Sequence, residues 1–250
     1  MDKKELVPCT EPHFLNFHPL QSSRVHILRN KKMLKPYEYN RIKYLTFDLV
    51  NVYHSVNDKS TVEAVYAQVA TEILQIAENA DNLASENNLS VKVAIQEYLS
   101  AIDNPKLSRE QAEKLLTELK TLVEAFHLPS EAQMKKAFKK VKKLKIPATS
   151  QWDLRDVTYF AWNEVSSGRK YLLTADGRGF YGSISGSMKN ICAICQKTSI
   201  VTQFLATTKR GADGTYTKNG TYICLDSEKC NQQIQAKEGL EHFLEIIKEK

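Results

Sequence analysis

The sequence predicts an α+β fold, with an antiparallel helical bundle followed by a mixed α/β domain. Three observations carry that prediction. Apolar residues recur every three and four positions from Tyr37 to Lys145, which places them on single helical faces. Beyond Pro147 the aromatic, β-branched and turn-forming residues gather, as strands and hairpins require. Four of the five cysteines then fall between positions 192 and 230, in two close pairs.

Residues 1–33 show no sustained period and mix Pro8, Pro12 and Pro19 with scattered Phe, His and basic residues. They read as an irregular or flexible extension, or as upstream sequence that is not translated, and no function is expected there. The helical domain is expected over 34–147. Pro36 suits the first turn of a helix carrying Ile42, Leu45, Leu49, Val52 and Val56 on one face. Asn57-Asp58-Lys59-Ser60 can cap a second helix striped by Val62, Val65, Val69, Ile73 and Ile76. A third runs over about 81–102 and ends at Asp103-Asn104-Pro105. Ser108-Arg-Glu-Gln111 and Ser130-Glu-Ala-Gln133 are capping-box patterns, each opening one further helix. The last of these is expected to turn Met134, Phe138, Val141 and Leu144 inward.

The second domain is expected over 148–250. Its candidate strands are 159–162, 170–174, 179–184, 200–207 and 220–223, and Ala175-Asp176-Gly177 makes a hairpin turn. A final helix is expected over about 231–248.

Cys192-Ala-Ile-Cys195 offers two sulfurs across a tight turn, and Cys224 and Cys230 follow after a predicted hairpin. A knuckle, a hairpin and a helix that brings in the last ligand make a treble-clef-like zinc finger. Four sulfurs suit one structural Zn2+. Iron remains an alternative, although zinc better fits a site without electron transfer. Four protein ligands leave no position open to activate water. A redox dithiol would need a thioredoxin-like setting that these strands do not offer. Cys9 stands alone and reads as an unligated thiol.

Composition bounds the function. Apolar residues make up 42% and charged residues 26%, and no run nears the roughly 18 apolar residues of a membrane span. The N-terminus lacks a secretory apolar core, so the expected location is cytoplasmic. The net charge of +6 favours acidic partners such as nucleic acid, a ribosome or an acidic protein face. Lys135, Lys136, Lys139, Lys140, Lys142, Lys143 and Lys145 crowd one predicted helix. That run is either a solvated face or a contact for ribosomal RNA. His54, His127 and His242 have no nucleophile or carboxylate pattern beside them, and no phosphate loop or nucleophile elbow occurs. No active site is expected, so the protein reads as a binder and not an enzyme.

Several segments together resemble the elongation factor G-binding proteins, which include the fusidic acid resistance proteins FusB and FusC. They are Pro36-Tyr37-Glu38-Tyr39-Asn40, the stretch from Asn51 to Lys59, Leu128-Pro129-Ser130, the stretch from Phe138 to Lys143 with Ile146-Pro147, Trp162-Asn163-Glu164, Arg169-Lys170-Tyr171 and Tyr181-Gly182. Cys192-x-x-Cys195, Asp213-Gly214, the stretch from Tyr222 to Ser227 and Cys230-Asn231 complete the set. The resemblance implies that the zinc domain grips elongation factor G and frees it from ribosomes on which fusidic acid has stalled it. It places partner contacts at Ile191, Asn219, Tyr222 and Ile246, with Lys218 beside them. The resistance proteins present aromatics where Ile191 and Ile246 stand, and a lysine where Asn219 stands. A monomer with only transient or indirect ribosome contact is implied. The alternative drawn from the residues alone is a ribosome- or RNA-binding zinc protein using 135–145.

Overall fold

The structure is a computed structural model that describes residues 33–81, 89–139, 141, 143–149, 152–210 and 215–248. The expectations for residues 1–32, Asp213-Gly214, Lys140 and Lys142 lie outside the described residues.

Helix α1 (Pro36–Ser55) starts where proline is tolerated, and the Lys35 amide donates to Glu38 Oε2 at 2.7 Å. The Asp58 carboxylate accepts from the Thr61 amide at 2.7 Å and caps α2 (Lys59–Asp81). Helices α3 (Leu89–Ile102) and α4 (Arg109–Leu119) follow, and the expected Ser108–Gln111 box closes in both directions. The stripes meet in one core that contains Ile42, Leu49, Ile73, Ile95, Ile102 and Leu116. Leu34 seals it by bridging to Val123.

The Ser130–Gln133 box also forms, but α5 covers only Glu131–Ala137. The expected helix to Lys145 does not continue. Lysines four apart, such as Lys135 and Lys139, would repel along it, and Phe138 leaves helical geometry at φ −111°, ψ 44°. Among the described residues of the run, Lys135 and Lys136 lie in α5 and Lys139, Lys143 and Lys145 lie beyond it, and Lys135 is paired with Glu131 at 2.6 Å.

Five strands form an antiparallel meander in chain order: β1 (Phe160–Glu164), β2 (Arg169–Leu173), β3 (Gly179–Ile191), β4 (Thr198–Arg210) and β5 (Tyr216–Cys224). β3 and β4 are much longer than their apolar stretches suggest. A bulge between Ser185 and Met188 shifts the register and lets pairing run on to Ile191–Thr198.

The expected single final helix is two, α6 (Ser227–Gln233) and α7 (Glu238–Ile247). The chain breaks at Ile234, which is fully buried and whose carbonyl is taken by Asn40 of α1 at 2.9 Å. A tertiary contact thus ends α6 where local propensity does not.

Two cores flank the sheet. One packs Phe204, Val201 and Ile223 against Phe243, Leu244 and Ile247 of α7, together with the four cysteines. The other is aromatic. Phe126, Met134 and Phe138 join Phe160, Trp162 and Tyr171, with Phe138 edge-on to Trp162 at 5.6 Å. Phe126, Leu128, Met134, Phe138, Val141, Leu144 and Ile146 therefore pack with the sheet, although they precede Pro147, because their large apolar side chains complete its outer face. The boundary near Pro147 is a change in composition and not a gap in packing.

Candidate metal centre

The Cys192–Cys195 turn joins β3 to β4. Its tightness comes from Gln196 in the left-handed region (φ 57°), whose amide returns to the Cys192 carbonyl at 2.9 Å. Cys224 is the last residue of β5, and its neighbour Asp226 caps α6 by accepting from the Glu228 and Lys229 amides. One turn into α6, Cys230 completes the set. All four are buried.

The sulfur of Cys192 lies 3.8 Å from that of Cys230, and Cys195 lies 3.7 Å from Cys224. The four sulfurs all fall within 4.8 Å of one another. These separations are far beyond the roughly 2.05 Å of a disulfide. Sulfurs bonded at about 2.3 Å to a central tetrahedral ion stand about 3.8 Å apart. The amides of Ile194 and Cys224 both donate to Cys192 Sγ, at 3.4 and 3.3 Å, as backbone does around a thiolate. The cluster can hold a metal ion, and its donor set is compatible with zinc.

Its electrostatics lean the same way. Hydrogen bonding from Cys195, then from Cys224 and Cys230, holds the Cys192 thiol far below the ordinary range. Bonding to Cys192 in turn pushes Cys195 and Cys230 up. Four thiols this close share their protons unless a cation replaces them.

Two buried polar groups stand around the cluster. The Tyr159 hydroxyl has no oxygen or nitrogen partner. Burial, and next the neighbouring Cys230 sulfur, push its titration well above the ordinary tyrosine value. A thiolate at Cys230 would give this orphaned hydroxyl an acceptor. Lys170 is fully buried, and burial pulls its ammonium down to about 8 against the opposing thiols of Cys230 and Cys224. Neither residue was singled out as a site residue from the sequence, because nothing in their spacing marks them.

Asn231, next to Cys230, ties the module together. Its side-chain oxygen accepts from the Thr158 and Tyr159 amides, and its amide donates to the Tyr159 and Ser227 carbonyls. The Asn231 carbonyl accepts from Asn40 at 2.7 Å.

The solved structure of the fusidic acid resistance protein FusC is similar over 87% of this chain and 98% of that one, with a TM-score of 0.77 and 35% sequence identity. The chain belongs to the FusB/FusC-type family. Within that family, the model described as elongation factor G-binding protein, N-terminal, matches residues 33–127, which span α1 to α4 and the turn after it. No curated protein sequence matches the chain.

The positions at which the resemblance to FusB and FusC placed contacts stand unevenly around the cysteine module. Ile191 ends β3 and is 58% exposed. Tyr222 and Lys218 alternate onto one face of β5, while Asn219 faces the other way opposite buried Ala206. The Tyr222 carbonyl accepts from the Ala193 amide at 2.9 Å, which fixes that strand to the Cys192–Cys195 turn. Ile246, on α7, is half-buried against the cysteine-bearing core.

Proposed function

We propose that this protein binds elongation factor G through residues 148–250 and promotes its release from stalled ribosomes, so protecting translation from fusidic acid. The observation that carries this reading is the similarity to FusC across almost the whole of both chains, joined to the elongation factor G-binding N-terminal match. The activity is one of binding. A protein that holds the factor differently on and off the ribosome shifts its release by that difference in affinity.

Cys192, Cys195, Cys224 and Cys230 are the ligands of one structural zinc in this reading. Zinc, when bound, cross-links the turn, β5 and α6 and so stiffens the surface that carries Tyr222. Lys218, Tyr222 and the exposed Ile191 supply a cation and apolar anchors there, with Asn219 and Ile246 at its margins. In this reading the protein is a cytoplasmic monomer whose contact with the ribosome is indirect or transient.

The test is retention of purified elongation factor G by the full-length, zinc-loaded chain. Binding at micromolar concentrations is expected, weakened at least tenfold by Tyr222→Ala with an unchanged melting temperature. No retention by folded, loaded protein would remove the proposal. Binding of ribosomes without the factor, collapsing as salt rises, would instead favour an RNA contact through 135–145.

A further inference from the structure

Lys170 sits in β2 with no exposed surface. Its ammonium donates to Asn163 Oδ1 and to the Leu225 carbonyl, both at 3.0 Å. Both acceptors are neutral. A wholly buried ammonium with only neutral acceptors is strongly disfavoured unless negative charge stands nearby. The carbonyl that Lys170 holds belongs to Leu225, the residue after Cys224 of the cluster, and while burial works against the ammonium's charge the thiols of Cys230 and Cys224 favour it. A divalent ion cancels only half the charge of four thiolates, so the closed centre keeps a net negative charge inside an apolar core.

We propose that Lys170 is the built-in counter-charge of the metal centre, a positioning residue that raises its affinity for a divalent ion without ligating it. The inference rests on the zinc reading given above. Two features fit this role beyond charge alone. Leu225 directly follows the ligand Cys224, and its carbonyl is held from two sides, by Lys170 and by the Asn163 amide at 2.9 Å. The hydroxyl of Tyr159 lies on the same cluster at Cys230 and wants an anionic acceptor. Ammonium and hydroxyl together supply the polar surroundings that a buried thiolate set needs.

The experiment measures zinc affinity of the full chain by competition with a chromogenic chelator. Lys170→Met keeps the length of the apolar stem and removes the charge. A loss of about 10- to 100-fold in affinity is expected, the range typical of groups that support metal ligands. Lys170→Arg, which restores a cation, should recover most of it. Asn163→Ala removes one tie on Leu225 and one of the two acceptors of the ammonium but keeps the charge, and should cost less than the neutral variant. Should Lys170→Met fail to fold, Lys170→Gln replaces it, an uncharged side chain that retains an amide donor.

Zinc bound by the parent and equally by the neutral variant overturns the inference and leaves the metal reading intact. A loss with Lys170→Arg as large as that with the neutral variant also overturns it, since the restored charge would then make no difference. A parent that binds no zinc overturns the metal reading and this inference together.

Discussion

Replacing Asn231 with alanine tests the claim that one side chain joins the helix carrying Cys230 to the sheet. The asparagine is 2% exposed and all of its side-chain hydrogen-bonding capacity is used. Alanine leaves the Thr158 and Tyr159 amides without an acceptor, and each such buried amide costs about 1–3 kcal/mol. Thr158 is only half-buried, which puts the pair near about 2–3 kcal/mol. The Tyr159 and Ser227 carbonyls also lose donors, at roughly 0.5–1 kcal/mol each. The expected loss is therefore about 3–5 kcal/mol, read from urea denaturation of the metal-loaded chain. Asn231→Asp makes the sharper comparison. It keeps the acceptor but turns an oxygen toward two carbonyls, so it should cost at least as much. A loss below about 1 kcal/mol for either variant, at an unchanged denaturant slope, would refute the reasoning.

Three further outcomes follow from other contacts. A Cβ at Gly239, in the first turn of α7, would stand 2.3 Å from the Ile194 carbonyl oxygen and 3.1 Å from that of Ala193. Gly239→Ala should therefore lower stability by about 1–3 kcal/mol despite its better helix propensity, and speed metal release to a chelator. A melting temperature at or above the parent's would show that α7 yields freely. The hydrogen bonds from Arg155, and then the pull of Lys120, hold the Asp153 carboxyl well below its ordinary value of 3.8. Its charged form is the one the fold favours, so its contribution is full above about pH 4 and fades as pH falls below that. Asp153→Asn should flatten stability against pH in that acid window, and an unchanged slope in acid titrations would count against the pairing. Cys224→Ser should abolish the stoichiometric metal and melt the cysteine-bearing core first, which metal analysis and limited proteolysis would reveal. Full metal content in that variant would disprove four-sulfur ligation.

What the sequence discloses is what local chemistry decides. Both serine capping boxes form because the partners lie three residues apart, and the four thiols converge because their spacing suits a turn, a strand end and a helix. The bulged extension of β3 and β4 was missed because polar residues such as Ser185 and Asn190 on an exposed face give no apolar alternation to read. The end of α6 was missed because Asn40, nearly 200 positions earlier, supplies it. Lys170 lies in a strand pattern that says nothing of the cysteines it will meet 22 to 60 positions later, so its burial is knowable only in three dimensions.

The grip of Asn40 on the Asn231 and Ile234 carbonyls has a practical consequence for dissecting the protein. A fragment begun at residue 148 loses this amide, and loses Phe126, Met134 and Phe138 from over Trp162 and Tyr171. It would show bare carbonyls and an oily aromatic shelf where the intact chain is sealed. Such a surface adheres to many proteins, so capture by the truncated piece would overstate what the whole molecule recognises.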